Sequence, residues 1–369
     1  MNIKIPEKIN YILETFWQNG FEAYCVGGSI RDSVMGIPTN DWDITTSALP
    51  EETKELFKAE RIIDTGIKHG TVSIIIDHEA VEVTTFRIDG EYSDNRHPET
   101  VSFTRNLKED LKRRDFTINA LAFSLQDEDY GALVDPFNGM EDMRNGLIRT
   151  PLDPDTTYSD DPLRMIRAIR FATQLGFTIV PESLESIKRN KERLSILSRE
   201  RIAEELNKIL LSPPPSKGFI ELDRCGLLEI IFPQLAAMQG VETRNGYSHK
   251  EMFYHTLEVV DNISKHTNDL WLRWAALLHD IGKPKTKRWD PILKWTFHNH
   301  NIVGEKMVLK LFRDYKMPQN EKMKYVAKLV SLHMRPIAIA DDEVTDSAVR
   351  RLLFDAGDDI DDLMILCEA

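Results

Sequence analysis

The chain has 369 residues, with 47 Lys or Arg against 60 Asp or Glu, and its formal net charge is −13. This length allows two or three domains, each with its own core. The negative charge argues against binding nucleic acid through general surface charge, so any nucleic acid must be bound locally. The sequence shows neither an apolar run of about 18 residues nor a signal peptide, and its three cysteines have no metal-binding spacing. We therefore predict a cytoplasmic protein.

The first predicted elements are a helix and then strands. Apolar residues from position 9 to position 16 have helical spacing, so an opening helix is predicted to end at Asn19 and Gly20. The following β-branched segments are predicted as strands: Ala23–Val26, Asp43–Thr45, Thr71–Ile76 and Ala80–Phe86. From about residue 155 onward nearly every segment has helical spacing. A helical body is thus predicted to follow an α/β head.

A glycine pair and two aspartates mark the first candidate site. Gly27 and Gly28 lack a Cβ, so the backbone N–H groups there can approach a triphosphate closely. Asp41 and Asp43 have the spacing that places two carboxylates on one face of a strand. Two such carboxylates can hold Mg²⁺, which activates an attacking hydroxyl and neutralises a leaving pyrophosphate. The pattern predicts phosphoryl transfer.

Glu82 is a candidate third carboxylate. It lies on a predicted strand, and it would join the two aspartates if that strand were next to the one at Asp43. The alternative is an ordinary exposed glutamate, and the residues alone leave both open.

Two arginine-rich segments supply further candidates. In residues 110–123, Arg114 can bind phosphate oxygens through two N–H groups. Asn119 in the same segment either contacts a sugar hydroxyl or braces the neighbouring turn.

The segment 160–177 is predicted as a helix on which Asp161, Arg164, Arg167 and Arg170 follow one another at intervals of three. A carboxylate beside a guanidinium complements the amine and ring nitrogen of cytosine and adenine, and leaves groups of guanine and uracil unpaired. The simpler alternative is an intrahelical salt bridge between Asp161 and Arg164.

Taken in order, these motifs resemble those of the class II tRNA nucleotidyltransferases and bacterial poly(A) polymerases of the DNA polymerase beta superfamily. The matching segments are GGSIRD with DWD, RRDFTINALAF, DPFNGMEDMRNGLIR, DDPLRMIRAIRF and SRERIAEELNKIL. The resemblance implies an α+β fold, with a small mixed-sheet nucleotidyltransferase head and an all-α neck. It also implies Mg²⁺ on Asp41 and Asp43, and CTP, ATP and the tRNA 3′ end with its acceptor stem as partners. The predicted nucleotide-binding residues are Gly27, Gly28, Ser29, Arg31, Arg114, Asp161, Arg164, Arg167 and Arg170.

Two segments indicate the branch of this family. Residues 65–73 resemble the CCA-adding branch, and residues 87–103 resemble the flexible loop that the family uses when switching from C to A addition. Addition of CCA to tRNA with release of pyrophosphate is the predicted activity. An A-adding enzyme and a poly(A) polymerase remain alternatives.

A second region is rich in histidine. LLHDIGKP resembles the HD metal-dependent phosphohydrolase domain, and adjacent His and Asp with further histidines suit a divalent metal. The predicted ligands are His255, His279, Asp280 and His333, with His298 and His300 nearby in the sequence. An HD phosphohydrolase is therefore a competing function of another class.

The predicted domains are a head at 1–150, a neck at 151–235, a helical HD domain at 245–340 and a tail at 341–369. Because the last segment has no capping glycine, we predict that it is the start of a longer helical tail.

Overall fold

The computed structural model describes residues 3–90, 100–124, 132–341 and 345–369. The chain divides into two compact units: residues 1–164 with 177–190, and residues 165–176 with 191–369. The predicted mixed-sheet head and helical body are both present.

The first unit contains a mixed β-sheet. Its strands, with two short pairs outside the sheet, are β1 (Ala23–Val26), β2 (Asp43–Thr46), β3 (Arg61–Gly66), β4 (Thr71–Ile76), β5 (Glu79–Thr85), β6 (Arg87–Asp89), β7 (Val101–Phe103), β8 (Ala122–Ser124), β9 (Ala132–Val134), β10 (Leu147–Ile148) and β11 (Thr178–Ile179). Within the described residues the sheet has the order β3-β4-β5-β2-β1-β8-β9. β2 and β5 are parallel, whereas β1 is antiparallel to both β2 and β8. The separate pairs are β6 with β7 and β10 with β11.

Helices alternate with these strands and follow them along the chain. They are α1 (Glu7–Gln18), α2 (Gly28–Val34), α3 (Pro50–Leu56), α4 (Leu107–Lys112), α5 (Gly139–Asn145), α6 (Pro154–Asp160), α7 (Leu163–Leu175), which continues into the second unit, and α8 (Pro181–Asn190). The opening helix is confirmed: Ile9, Ile12, Leu13 and Phe16 are each at most 2% exposed. It is amphipathic because these residues recur on one face.

The four predicted strands are confirmed to within one residue at each end. β5, which contains Glu82, lies next to β2, with Val83 opposite Ile44. The strand of Glu82 is therefore next to the strand that begins at Asp43, as a third carboxylate at this site would require. Asp41 differs from the prediction, because β2 begins only at Asp43. The buried Trp42 separates the two aspartates.

The second unit is mainly helical. Its helices are α9 (Arg199–Leu210), α10 (Pro215–Arg224), α11 (Leu228–Ile231), α12 (Pro233–Ala236), α13 (Phe253–His266), α14 (Leu270–Leu278), α15 (Lys283–Thr286), α16 (His300–Asp314), α17 (Glu321–Leu332), α18 (Met334–Asp341), α19 (Asp346–Ala356) and α20 (Ile360–Glu368). α14 lies in its core, since residues 272 and 274–278 are at most 2% exposed. None of the helices in the described ranges is long and apolar enough to cross a bilayer.

The prediction of helix nearly throughout the second half missed two hairpins. They are β12 (Thr243–Arg244) with β13 (Tyr247–Ser248), and β14 (Arg288–Asp290) with β15 (Lys294–Thr296). In the second hairpin Asp290 accepts the backbone N–H groups of Ile292 and Leu293, and Lys294 has a φ of +67°. An aspartate that bonds the backbone two and three residues later favours a turn over a helix.

Candidate nucleotide and metal sites

Three carboxylates come close together at one end of β2. Asp43 pairs with Val26 of β1 in the sheet register, and Glu82 precedes the residue opposite Ile44. Burial raises the pKa of Asp43 to about 6, opposed by Arg114 and reinforced by the carboxylates of Asp41 and Glu82. The carboxylates are therefore near enough to repel one another, and a cation would relieve this cost.

These donors fit a hard divalent cation, because all of them are carboxylate oxygens. They do not form a closed ligand cluster by themselves. In the described parts of the chain, the three-residue groups whose ligand atoms lie within 4.8 Å of one another belong to the second unit.

Arg114 supplies positive charge beside these carboxylates. Its Nη2 lies 3.7 Å from Oδ2 of Asp110, and its Nε is buried with no hydrogen-bond partner among the described residues. Asp110 is fully buried and also accepts hydrogen bonds from Thr45, Arg113 and the backbone of Arg87. Arg114 is thus held in place with one donor unused, as suits an anionic ligand.

The glycine pair connects β1 to α2. Gly27 has a φ of +76°, and a Cβ on it would lie 3.3 Å from Nη1 of Arg114. Ser29 is 3% exposed, and its hydroxyl donates to Val26 O at 3.1 Å. The Ser29 side chain therefore stabilises the turn, so any contact of this residue with a nucleotide would have to come from its backbone.

Arg31 is 5% exposed and bonded within the protein. Its Nη1 donates to Oδ1 of Asn119 at 2.7 Å and its Nε to Oδ1 of Asp32 at 2.8 Å. Asn119 in turn donates from Nδ2 to Oδ1 of Asp115 at 3.0 Å. Of the two alternatives for Asn119, this geometry favours bracing.

Asp161 and Arg164 are arranged differently from the prediction. α7 begins at Leu163, so Asp161 precedes the helix and its Oδ1 accepts the backbone N–H of Leu163 at 3.1 Å. Arg164 donates to the carbonyl of Arg113 at 2.9 Å and to that of Thr157 at 3.5 Å. Placing Asp161 on the helix surface was wrong, because α6 ends one residue before it.

Arg167 and Arg170 lie beside Glu205 of α9 in the second unit. Nε of Arg170 is 2.9 Å from a carboxylate oxygen of Glu205, and Nη1 of Arg167 is 3.8 Å from the other. The Arg170 guanidinium also stacks 3.7 Å from the ring centroid of Phe171. Glu205 is only 2% exposed, so Arg170 is mainly occupied in neutralising a buried charge.

The histidine-rich region converges on Asp280. Its Oδ2 lies 3.3 Å from Nε2 of His279. Its Oδ1 lies 3.3 Å from Nε2 of His300 and 3.7 Å from Nε2 of His333. Asp280 forms one group with His255 and His279 and a second group with His300 and His333. Within each group the ligand atoms lie within 4.8 Å of one another. The exposed His298 belongs to neither of them.

The ring orientation suits metal binding. Nδ1 of His279, His300 and His333 lies 2.7 to 2.9 Å from a backbone carbonyl, to which it donates. This leaves each Nε2 facing Asp280, where the ring nitrogens and the carboxylate could share a metal ion, as is typical of histidine ligands. Nitrogen ligands with one carboxylate suit a transition metal better than Mg²⁺. Lys283 Nζ lies 2.6 Å from the same carboxylate.

Two residues of these sites were not assigned by sequence reasoning. Asp110 precedes Arg113 and Arg114 by three and four residues, a helical spacing that could have identified it as their partner. His300 lies outside the predicted ligand set, because only tertiary packing brings α16 beside α17.

Three family models match parts of the chain. They are the Poly A polymerase head domain at residues 23–149, the probable RNA and SrmB-binding site of polymerase A at 176–239, and the HD domain at 252–369. Together they cover both units.

Curated relatives are similar over much of the chain. The CCA-adding enzyme of Geobacillus stearothermophilus is 37% identical over 309 residues, which is 84% of this chain and 70% of the relative. The CCA-adding enzyme of Lactobacillus helveticus is 46% identical over 65% of this chain and 62% of the relative. That of Levilactobacillus brevis is 49% identical over 60% and 55%. The chain thus spans somewhat over half the length of several of these relatives.

Solved structures of similar fold include enzymes with bound ligands. The crystal structure of the Bacillus stearothermophilus CCA-adding enzyme in complex with CTP has a TM-score of 0.59 and 29% identity, over 95% of this chain and 83% of that chain. The Thermotoga maritima CCA-adding enzyme complexed with tRNA has a TM-score of 0.68 at 20% identity, over 99% and 80%, and shows the fold alone.

Proposed function

The chain belongs to the family of CCA-adding enzymes, and we propose that it adds CCA to the 3′ end of tRNA, using CTP and ATP and releasing pyrophosphate. The single observation that supports this most strongly is the first unit's acidic site. There Asp43, with its raised pKa, lies near Asp41 and Glu82 and faces Arg114, whose buried Nε has no partner among the described residues. Relatives bearing this name, one of them solved with CTP, add further support.

In the proposed reaction, the tRNA 3′ hydroxyl attacks the α-phosphate in line and pyrophosphate leaves. Asp41 and Asp43 would hold Mg²⁺, with Glu82 adding negative charge. When bound, this ion supplies charge neutralisation and lowers the pKa of the attacking hydroxyl. Arg114, which lies next to the Gly27 turn, would position the triphosphate. Positioning and electrostatics would supply most of the rate acceleration.

Selection of the base is assigned to Asp161 and Arg164. The carbonyl of Arg113 fixes the direction of the Arg164 guanidinium, which is what discrimination by hydrogen bonds requires. Arg167 and Arg170 would act through the position of α7. Gly27, Gly28, Ser29 and Arg31 would form the turn around the triphosphate. The four-part domain division and a cytoplasmic location stay predictions.

The test uses tRNAs that end before the tail, after C and after CC, with Mg²⁺ and each nucleotide singly or mixed. Products are resolved to single nucleotides. Ordered addition of C, C and A is expected; A alone on the CC-ended tRNA would indicate an A-adding enzyme, and long A tracts a poly(A) polymerase. The predicted switching loop at 87–103 lies partly outside the described residues.

Substitutions of the two aspartates test whether nucleotide addition depends on them. Asp41→Asn and Asp43→Asn should abolish extension while tRNA binding, measured by gel shift, is retained. Asp77→Asn is the matched control, because Asp77 is exposed at a turn of the same sheet. Retained turnover in Asp43→Asn would contradict the metal assignment.

A second candidate function is metal-dependent phosphohydrolysis at the HD cluster. The observation that favours it is the pair of three-ligand groups that share Asp280. Hydrolysis of a chromogenic phosphoester that survives Asp43→Asn but is lost in His279→Ala would establish it. Hydrolysis equally lost in His298→Ala, an exposed histidine outside both groups, would contradict the assignment.

A further inference from the structure

Two short hairpins of the second unit are joined at its surface. Nε1 of Trp295 in β15 donates to the carbonyl of Tyr247 in β13 at 2.9 Å, which ties the hairpins together. Trp289 packs against Trp295 edge to face, with ring centroids 5.3 Å apart. We call Arg244, Tyr247, Trp289, Lys294 and Trp295 the hairpin surface.

Cations lie between its aromatic rings. Lys294 Nζ is 4.5 Å from the ring centroid of Tyr247 and 6.0 Å from that of Trp289. The Arg244 guanidinium lies 5.3 Å from the Trp289 ring. Tyr247 is 51% exposed. Aromatic rings and positive charges thus alternate on this surface, on which Arg244 and Tyr247 are exposed and Trp289 and Lys294 are partly buried.

The charge of this surface is opposite to that of the chain as a whole. Among the described residues, neither Arg244 nor Lys294 has a carboxylate within 4.0 Å of its cationic group, whereas the net charge of the chain is −13. The nearby acids are engaged: Glu242 pairs with Lys287, and Asp290 accepts two backbone N–H groups of its own turn. Lys294 Nζ donates to the carbonyl of Pro291 at 3.0 Å, so both cations keep their positive charge without a carboxylate partner and can attract a polyanion.

The hairpin surface is connected to the histidine cluster through aromatic contacts. The ring of His249 lies 5.4 Å from that of Trp295 and 5.9 Å from that of Phe297. Lys283, which pairs with Asp280, is 5.8 Å from the Phe297 ring. A continuous series of packed side chains therefore links the hairpin surface to the cluster.

We propose that the hairpin surface binds single-stranded nucleic acid, with bases stacked on Tyr247 and Trp289 and phosphates paired to Arg244 and Lys294. Stacking on aromatic rings together with cations that follow the backbone is the chemistry that binds single strands irrespective of sequence. Duplexes would bind less well, because their bases are already stacked. This binding is separate from nucleotidyl transfer in the first unit.

The test is fluorescence anisotropy of a labelled oligouridylate of about 12 nucleotides with the full chain, at several salt concentrations. Tyr247→Ala is expected to weaken binding about 10-fold, and Tyr247→Phe to preserve it. Arg244→Gln and Lys294→Gln should each reduce the slope of log affinity against log salt by about 0.7. Trp17→Ala and Lys310→Gln, exposed residues elsewhere, are controls expected to bind like the parent.

Extension of tRNA is measured on the same variants and is expected to be unchanged. Oligonucleotide binding by the parent without tRNA extension would contradict the proposed function and support the hairpin inference. Parent-like binding by Tyr247→Ala, or an equal loss in Lys310→Gln, would overturn the inference. So would concentration-dependent dimers that Ile292→Ser abolishes without any oligonucleotide binding, since the exposed hairpin tip would then be a contact between copies.

Discussion

Arg31 donates a hydrogen bond from Nη1 to Oδ1 of Asn119 at 2.7 Å, although 88 residues separate them in the chain. This bond connects the helix after the glycine turn to the segment that also contains Arg114. Arg31 also donates from Nε to Asp32, and Asn119 is itself bonded to Asp115, so the guanidinium is held at two of its nitrogens. The turn around the proposed triphosphate is therefore braced by residues that need not touch the nucleotide.

Asn119→Ala should raise the KM for CTP and ATP more than it lowers kcat, because Arg31 loses an acceptor and the turn loosens. A buried donor left without its partner costs about 1–3 kcal/mol of unfolding free energy, measurable by urea denaturation. Asn19→Ala is the control, since Asn19 is exposed at the end of α1. An unchanged KM in a stable Asn119→Ala protein would argue against bracing.

Gly27→Ala separates backbone strain from contact with Arg114. Gly27 and Gly20 have φ values of +76° and +82°, but only at Gly27 does a Cβ meet Arg114, since nothing lies within 4 Å of one at Gly20. Gly20→Ala should cost about 1 kcal/mol of stability because of its positive φ, and Gly27→Ala should cost more, because a φ of +76° with a ψ of −140° strongly favours glycine. Only Gly27→Ala should weaken nucleotide binding, measured by isothermal titration. Equal effects on binding would show that Arg114 is not displaced.

Asp43→Asn should stabilise the metal-free protein while removing activity. Burial raises the pKa of Asp43 from 3.8 to about 6, so the folded state holds this proton more tightly than the unfolded state. The unfolding free energy therefore falls as pH rises between these values, by about 3 kcal/mol at most at 1.36 kcal/mol per unit. Asparagine does not ionise and avoids this loss.

The measurement is thermal unfolding of both proteins without divalent ions at pH values of about 4 to 8. The stabilisation by Asp43→Asn should be small at the acid end and full above the raised pKa. Addition of Mg²⁺ should stabilise the parent and have little effect on the variant. A variant that is no more stable than the parent at high pH would contradict the burial cost.

Glu205→Leu should destabilise the second unit by about 3 kcal/mol or more, because the buried Arg170 guanidinium loses the carboxylate that neutralises it. Glu204→Leu is the matched control, since the neighbouring Glu204 is exposed. The double variant Arg170→Met with Glu205→Leu should recover stability and retain selection of CTP and ATP. Recovered stability with lost selection would assign Arg170 to the nucleotide directly.

His300→Ala should lower the transition-metal content of the purified protein, measured by mass spectrometry of the metal after loading and desalting. His300 is the residue of the cluster outside the predicted ligand set, and its Nε2 lies 3.3 Å from Asp280. His298→Ala should leave the content unchanged. Equal metal content in both variants would exclude His300 as a ligand.

Local patterns were enough to predict some elements from the sequence. The burial of Ile9, Ile12, Leu13 and Phe16 follows from helical spacing alone, and the strands around Asp43 and Glu82 follow from β-branched runs between breakers. The hairpins were missed because strands of two or three residues give little periodicity. Asp161 was placed on a helix because residue spacing does not reveal where one helix ends and the next begins.

By itself, the sequence determined the types of chemistry in this protein: carboxylates and arginine in a nucleotidyltransferase head, and histidines with aspartate in an HD domain. These follow from residue types at short spacing, and such patterns can be recognised in the sequence without knowledge of the structure. Only the tertiary structure decided which side chains meet: Glu82 beside Asp43 through parallel strands, Asn119 on Arg31, and His300 on Asp280. Such pairs depend on how distant elements pack, and no local preference of the chain encodes that arrangement.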